Sequence, residues 1–279
     1  MSVCCNFTSS VLLPPPHNTA TVSWLSRITA NGGAAPAAAT VTAINDLYNA
    51  IDAAGITSKI LQMAMFVPDS LIAARTPLFK VIGNDPWGTT FTNGDLGANG
   101  ITGNSHYLDP GCVPAFMSAQ WSALSACIFF YSYATNTTPT GTDVGCTDGS
   151  NDSFFIAEYG GGGGLHCVSD LQGAAPRLNV ANPGNGFLMA SRIAANNNQI
   201  YFANSSTPWA SIANNAVGSI GFSTAGFLIF AFNNNGSIIQ YSNGTLSCAG
   251  FAAGLTSGEG QALYNAIQAC RVALGGGFR

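Results

Sequence analysis

Hydrolytic chemistry starts from carboxylates, and this chain of 279 residues has only two glutamates, Glu158 and Glu259. Cleaving a glycosidic bond takes a pair of carboxylates flanking it, one as acid and the other as nucleophile or base. Glu158, in "FFIAEYG", stands alone on a predicted strand, with Asp152 and Asp170 as its nearest candidates in a predicted hairpin. It reads as an ordinary polar strand residue. Glu259 falls three residues after Thr256 in "LTSGEGQALYNAIQACRVALGG", the Thr-x-x-Glu spacing of a capping box. There the threonine hydroxyl accepts the glutamate amide, and the carboxylate accepts the threonine amide at the positive end of the helix dipole. A glutamate held by its own backbone is poorly placed for catalysis. No enzymatic activity and no cofactor are expected.

Other chemistry-bearing residues are weighed the same way. In "GCTDGSNDS", Asp148, Asn151 and Asp152 bring hard oxygen ligands into one loop, the kind that suits Ca²⁺. An Asp/Asn-rich turn forms equally well without metal, so both readings stand. "GGGGGLHC" lacks the Gly-Lys-Ser/Thr ending of a phosphate loop and reads as a turn. His17, His106 and His166 are dispersed; His166 and Cys167 are neighbours on a predicted strand and point to opposite faces. For sugar binding, Trp87, Trp121, Trp209, Tyr201 and Tyr241 are the candidate platforms, although aromatic residues in a sandwich are more often core.

The eight cysteines (Cys4, Cys5, Cys112, Cys127, Cys146, Cys167, Cys248, Cys270) are scattered and contain no CxxC, so most are expected as buried thiols. Charged residues make up 7% of the chain, against roughly 25% in ordinary soluble domains. Hydrophobic residues reach 47%, so the chain has ample material for a core. Its surface must be built from Asn, Ser, Thr, Gly and Gln, which suits packing into an assembly. A net charge of −4 with only eight Lys+Arg excludes the cation clusters that nucleic acid requires. The N-terminus lacks the charged and apolar regions of a signal peptide. "CIFFYSYA" and "GFLIFAF" fall far short of the roughly 20 residues that cross a bilayer, so no membrane contact is expected.

These residues must be positioned by mainly β structure. Residues 1–36 read as an extended docking arm, with "LLPPP" in polyproline conformation, a short strand in "ATVSWLSRI", and "NGGAAPAAA" as a joint. In "ATVTAINDLYNAIDAAG", Val41, Ile44, Leu47, Tyr48 and Ile51 recur at helical spacing, Thr40 or Thr42 can cap the start, and Gly55 can end it. From about residue 59, apolar runs separated by Asn/Gly/Ser turns read as strands, among them "KILQMAMFV", "SACIFFYSYA", "GFLMASRIA", "NQIYFANS", "GFLIFAFNNNG" and "LSCAGFAA". Two sheets must then cover each other's apolar faces, as in a sandwich or jelly roll. Leu263, Ile267, Cys270 and Leu274 form the stripe of a closing helix ended by Gly275.

The closing stretch resembles a set of tailed-phage proteins that carry a concanavalin A-like lectin/glucanase (laminin-G-like) jelly roll. The matching residues are Phe230 to Gly236, then Gly254, Leu255, Thr256, Glu259, Ala262, Leu263, Tyr264, Ile267, Gln268 and Ala273 to Gly275. Upstream, "NGITGNSHYLDPG" resembles a laminin-G strand lead-in through Tyr107, Leu108, Asp109 and Gly111. The resemblance covers residues 37–279 and implies a concanavalin A-like jelly roll with an N-terminal and a C-terminal amphipathic helix. It implies a virion structural protein, in capsid decoration, a head fibre or the tail, whose partners are other virion proteins and copies of itself. The glucanase branch of that fold carries Glu-x-Asp-x-Glu on one strand, a run this chain lacks. The rival expectation is a lectin-like module that attaches to host-surface glycans.

Overall fold

The computed structural model describes residues 17–276 apart from 118, 123, 135–136, 138–140, 151, 160–165, 171–177, 182 and 219–220. Four α-helices are present among these residues: α1 (Thr19–Ala30), α2 (Ala38–Ala53), α3 (Leu71–Arg75) and α4 (Ser257–Ala273). The strands begin with β1 (Ile60–Met65), β2 (Phe79–Lys80), β3 (Gly88–Thr89), β4 (Leu96–Gly97), β5 (Gly100–Thr102) and β6 (Leu108–Asp109). They continue with β7 (Ala126–Ala134), β8 (Val144–Thr147), β9 (Asp152–Tyr159), β10 (His166–Asp170), β11 (Leu178–Ala181) and β12 (Gly186–Ala194). The last are β13 (Asn197–Ala203), β14 (Ala210–Asn215), β15 (Leu228–Ile229), β16 (Phe232–Asn234), β17 (Ser237–Ile239) and β18 (Thr245–Ala252).

They form two sheets. The first runs β14-β13-β12-β7-β18-β1-β2, with the β4–β5 hairpin attached to β18. The second runs β11-β10-β9-β8-β15-β6-β3, with β16 and β17 joined at β8. Pairing is antiparallel save β16 on β8. Alternate residues of the first sheet serve two different cores. On β7, Ala126, Ile128 and Phe130 face the second sheet, while Cys127, Phe129 and Tyr131 face the helices. On β12, Leu188 and Ala190 divide from Phe187 and Met189 in the same way. A sheet covered on both faces needs apolar residues at every position, which is why these strands read as continuous runs rather than alternating ones. The result is the expected mainly β sandwich with a helical layer on one outer face. No helix among the described residues is long and apolar enough to cross a membrane.

The helices follow their sequences with two differences. All five α2 positions expected inside are buried, and Gly55 takes a φ of 70° just past the helix end. Neither Thr40 nor Thr42 caps α2. Instead Asp69, from the loop before α3, accepts the Ala37 amide at 2.6 Å and the Thr40 hydroxyl at 2.8 Å. The strand expected within "ATVSWLSRI" is helix α1, so residues 19–30 are not an extended arm. Asn18 caps it by accepting the Ala20 amide, and Trp24 and Ile28, four residues apart, are fully buried. Trp24 Nε1 donates to Thr76 O at 3.1 Å, fastening α1 to the domain. The polyproline stretch lies outside the described residues.

"GFLIFAFNNNG" is not one strand. Phe230 has a φ of 68°, and the chain breaks there into β15, antiparallel to β8, and β16, parallel to it. Cys112, Cys127, Cys146, Cys248 and Cys270 are buried thiols, and burial pushes Cys248 and Cys270 up to about 12.

Candidate functional site

The capping box is present as spaced: the Glu259 amide donates to Thr256 Oγ1 at 3.3 Å, and Glu259 Oε2 accepts the Thr256 amide at 2.9 Å. Lys59 Nζ approaches Glu259 Oε1 at 2.6 Å. Burial works to raise the Glu259 pKa, but the Lys59 and Thr256 hydrogen bonds outweigh it and hold the carboxyl below its ordinary range. For Glu158, the register of β9 and β10 sets Asp170 opposite Phe154. Phe154 lies four residues along the strand from Glu158, about 13 Å at strand rise. Asp152 is farther still.

Of the calcium candidates, Asp152 opens β9 opposite Thr147 and Asn151 lies outside the described residues. Asp148 joins two loops: Oδ1 accepts the Ser150 amide at 2.9 Å, and Oδ2 accepts the Thr224 amide at 2.8 Å and the Thr224 hydroxyl at 3.0 Å. The glycine run at 160–164 also lies outside the described residues.

The aromatic candidates serve packing. Trp87 and Trp121 are buried between the sheets. Tyr201 is buried under the helices and stacks on Trp209 at 5.1 Å with ring planes 4° apart, and Trp209 stacks in turn towards Tyr264 of α4. Trp209 Nε1 donates to Ser257 Oγ. Tyr241 is half-buried.

A groove that these candidates do not mark lies beside the β4–β5 hairpin. It is an open cleft of about 420 Å³ lined by Gly94, Asp95, Leu96, Gly97, Thr102, Gly103 and Asn104. Elements on both sides build it. β5 pairs with β18, Thr245 opposite Thr102, and the two threonine hydroxyls meet at 2.9 Å. A Cβ on Gly100 would come within 2.0 Å of Leu246 O, and one on Gly103 within 2.1 Å of Ser242 O, so only glycine lets the hairpin lie this close. Beneath it, Phe91 meets His106 edge-on at 5.4 Å and Phe230 at 5.2 Å. The turn at Phe230 that breaks the strand thus sets a ring under the groove wall.

Asp95 is the carboxylate of this cleft. Its Oδ2 accepts the Thr92 amide at 2.8 Å and the Thr92 hydroxyl at 2.9 Å, and stands 3.5 Å from His106 Nδ1. The Thr92 amide is the chief cause of a carboxyl pKa below the ordinary aspartate range, with the Thr92 hydroxyl and His106 adding to it against burial. Oδ1 has no hydrogen-bond partner among the described residues, and neither has the exposed Asn104 side chain. The lining holds no lysine or arginine. Reading for catalytic pairs and aromatic platforms overlooked Asp95 and Asn104. The available signal was the "TNGD" and "GITGN" turns, two Asx/Gly-rich segments flanking one short hairpin.

No family model matches this chain, and no curated protein matches it. Solved structures similar to it include domain 4 of AbnA, a GH43 extracellular arabinanase from Geobacillus stearothermophilus, in complex with arabinotriose. That likeness has a TM-score of 0.43 at 15% identity and covers 74% of this chain and 99% of that one. The CBM40 of the Ruminococcus gnavus IT-sialidase gives 0.39 at 12%, covering 59% of this chain and 94% of that one. A Trypanosoma rangeli sialidase gives 0.45 at 12%, covering 74% of this chain and 32% of that one. Likenesses of this degree carry nothing about a site.

Proposed function

We propose that this chain is a non-catalytic, lectin-like recognition module, and that the groove beside the β4–β5 hairpin takes a neutral glycan. The observation that carries this reading is an ionised carboxylate with one oxygen unused among the described residues, in an open cleft whose lining holds no lysine or arginine. Sugar hydroxyls donate well to a carboxylate, and such charge-assisted bonds are about twice as strong as neutral ones. The Asn104 amide offers both a donor and an acceptor beside it. With no lysine or arginine in the lining, a phosphorylated or acidic sugar would be repelled by the Asp95 charge. Neutral glycans are therefore the expected class.

Titration calorimetry with neutral oligosaccharides chosen from a glycan array tests this. Asp95→Asn is expected to weaken binding about tenfold or more, since a hydrogen bond to a charged group is worth about 1.5–3 kcal/mol, and Asn104→Ala, which removes a neutral amide, by about two- to tenfold. Equal affinity in Asp95→Asn, or no binding to any array glycan at millimolar concentration, overturns the reading.

A second reading is favoured by a separate observation. With 7% charged residues, the surface suits permanent subunit contact better than free solution. On that reading the module is a component of a phage particle, held by other virion proteins or by its own copies. The two readings are compatible where a recognition module is displayed on a particle.

A further inference from the structure

Arg271 sits in the last turn of α4 and is 2% exposed. Its guanidinium carbon lies 3.6 Å from the centre of the Tyr131 ring, and Nη1 donates to Gln268 Oε1 at 3.1 Å. Nη2 has no hydrogen-bond partner among the described residues, and none of their carboxylates lies within ion-pair distance of the guanidinium. The other deeply buried arginine behaves differently: Arg192 donates to Asn198 Oδ1 and to the carbonyls of Val217 and Ala195. A guanidinium does not discharge inside a protein, so a buried one needs oxygen or anion partners. Arg271 has the Tyr131 and Gln268 side chains beside it, and among the described residues its Nη2 is left without a partner.

On the wall of that region is a cavity of about 20 Å³, bounded by Arg271, Asn99, Ser247, Phe66, Leu274 and Gly276. One water-sized occupant needs roughly 10–15 Å³ measured this way, so the space fits a single small ion. Ser247 Oγ donates to Asn99 O at 2.6 Å and is engaged. The Asn99 side-chain amide makes no hydrogen bond among the described residues. Pro68 and Ala98, which also line the cavity, are exposed and give an ion its way in.

We propose that this cavity holds one small monovalent anion of halide size, bound by Arg271 Nη2 and the Asn99 amide. The mostly apolar wall suits a weakly hydrated halide, and the ion supplies a counter-charge that the described residues do not give Arg271. The proposal is independent of the glycan reading.

The test is thermal unfolding of the full chain in sodium chloride or bromide against sodium gluconate, at one fixed ionic strength. Selective binding to the folded state is expected to raise Tm saturably, by about 5 °C at a hundredfold excess over Kd. Ala98→Leu, on an exposed position at the mouth, is expected to abolish the rise, and so is Arg271→Gln. Should Arg271→Gln fail to fold, Ala98→Leu decides. A bromide soak of crystals is expected to place anomalous density beside Arg271. A Tm indifferent to halide at fixed ionic strength, a rise kept in Ala98→Leu, or bromide found only at other surface sites overturns the proposal.

Discussion

Glu259 holds two elements together with one carboxylate: Oε2 closes the first turn of α4, and Oε1 takes the ammonium of Lys59 at the foot of β1. The first contact was written in the sequence, because Thr-x-x-Glu is a local spacing and both partners lie within one turn. The second was not, because Lys59 is 200 residues away and only the antiparallel pairing of β1 with β18 brings it near. Thr256→Ala is expected to cost about 1 kcal/mol in denaturant unfolding, the usual loss for a cap. The pH dependence has a definite sign. Because the folded-state pKa of Glu259 is depressed, its contribution is fully present above the unfolded value near 4.3 and is lost as pH falls through the folded value. Wild type and Glu259→Gln should therefore differ in stability at pH 6 and converge at acid pH. A difference that persists unchanged to pH 2.5 would place the benefit in packing instead. Asp95 shows the opposite limit of legibility. Its spacing from Thr92 was visible, but the cleft it lines exists only where the hairpin meets β18.

Among elements, those read correctly were those whose signal is periodic and local. The α2 stripe and the closing stripe of α4 are helical in spacing, and the long strands are apolar runs bounded by turns. The two misread elements fail for tertiary reasons. α1 carries Thr, Val and Ile, residues that favour strands, yet Trp24 and Ile28 find a core only in helical spacing. The strand through Phe230 breaks because Phe230 N donates to Asp143 O and Phe230 O accepts from Ser242, both from other parts of the chain. Asp148 belongs to this scale as well, since it ties the turn between β8 and β9 to the loop carrying Thr224. Asp148→Asn is expected to lower stability by about 1–2 kcal/mol through its weakened bonds to Thr224. Calcium separates the structural and metal roles of the loop. If the carboxylate serves only its backbone and Thr224 donors, millimolar Ca²⁺ and EDTA leave Tm unchanged. A Ca²⁺-dependent rise that Asp148→Asn removes would assign the 148–152 loop to the ion.

At the scale of the whole molecule, the helical layer decides how the N-terminal segment can be tested. Trp24 and Ile28 are completely buried against α2, β1 and their neighbours, so residues 19–30 belong to the folded body rather than to a free docking arm. Deleting residues 1–36 would strip a fully buried tryptophan from the core. Loss of such a side chain costs about 3–5 kcal/mol, enough to unfold many domains outright. Failure of that truncation to enter a particle would then report instability, not docking. Deleting residues 1–16 leaves every described contact of α1 in place, including the Asn18 bonds to Asn45 and Asn49. The expected outcome is a 17–279 chain whose Tm lies within about 2 °C of the full chain, beside a 37–279 chain that melts far lower or does not fold. If the chain is a particle component anchored by its N-terminus, the 17–279 form should be stable yet missing from purified particles, by quantitative immunoblot. Its incorporation at full stoichiometry would move the contact surface to the weakly charged sandwich.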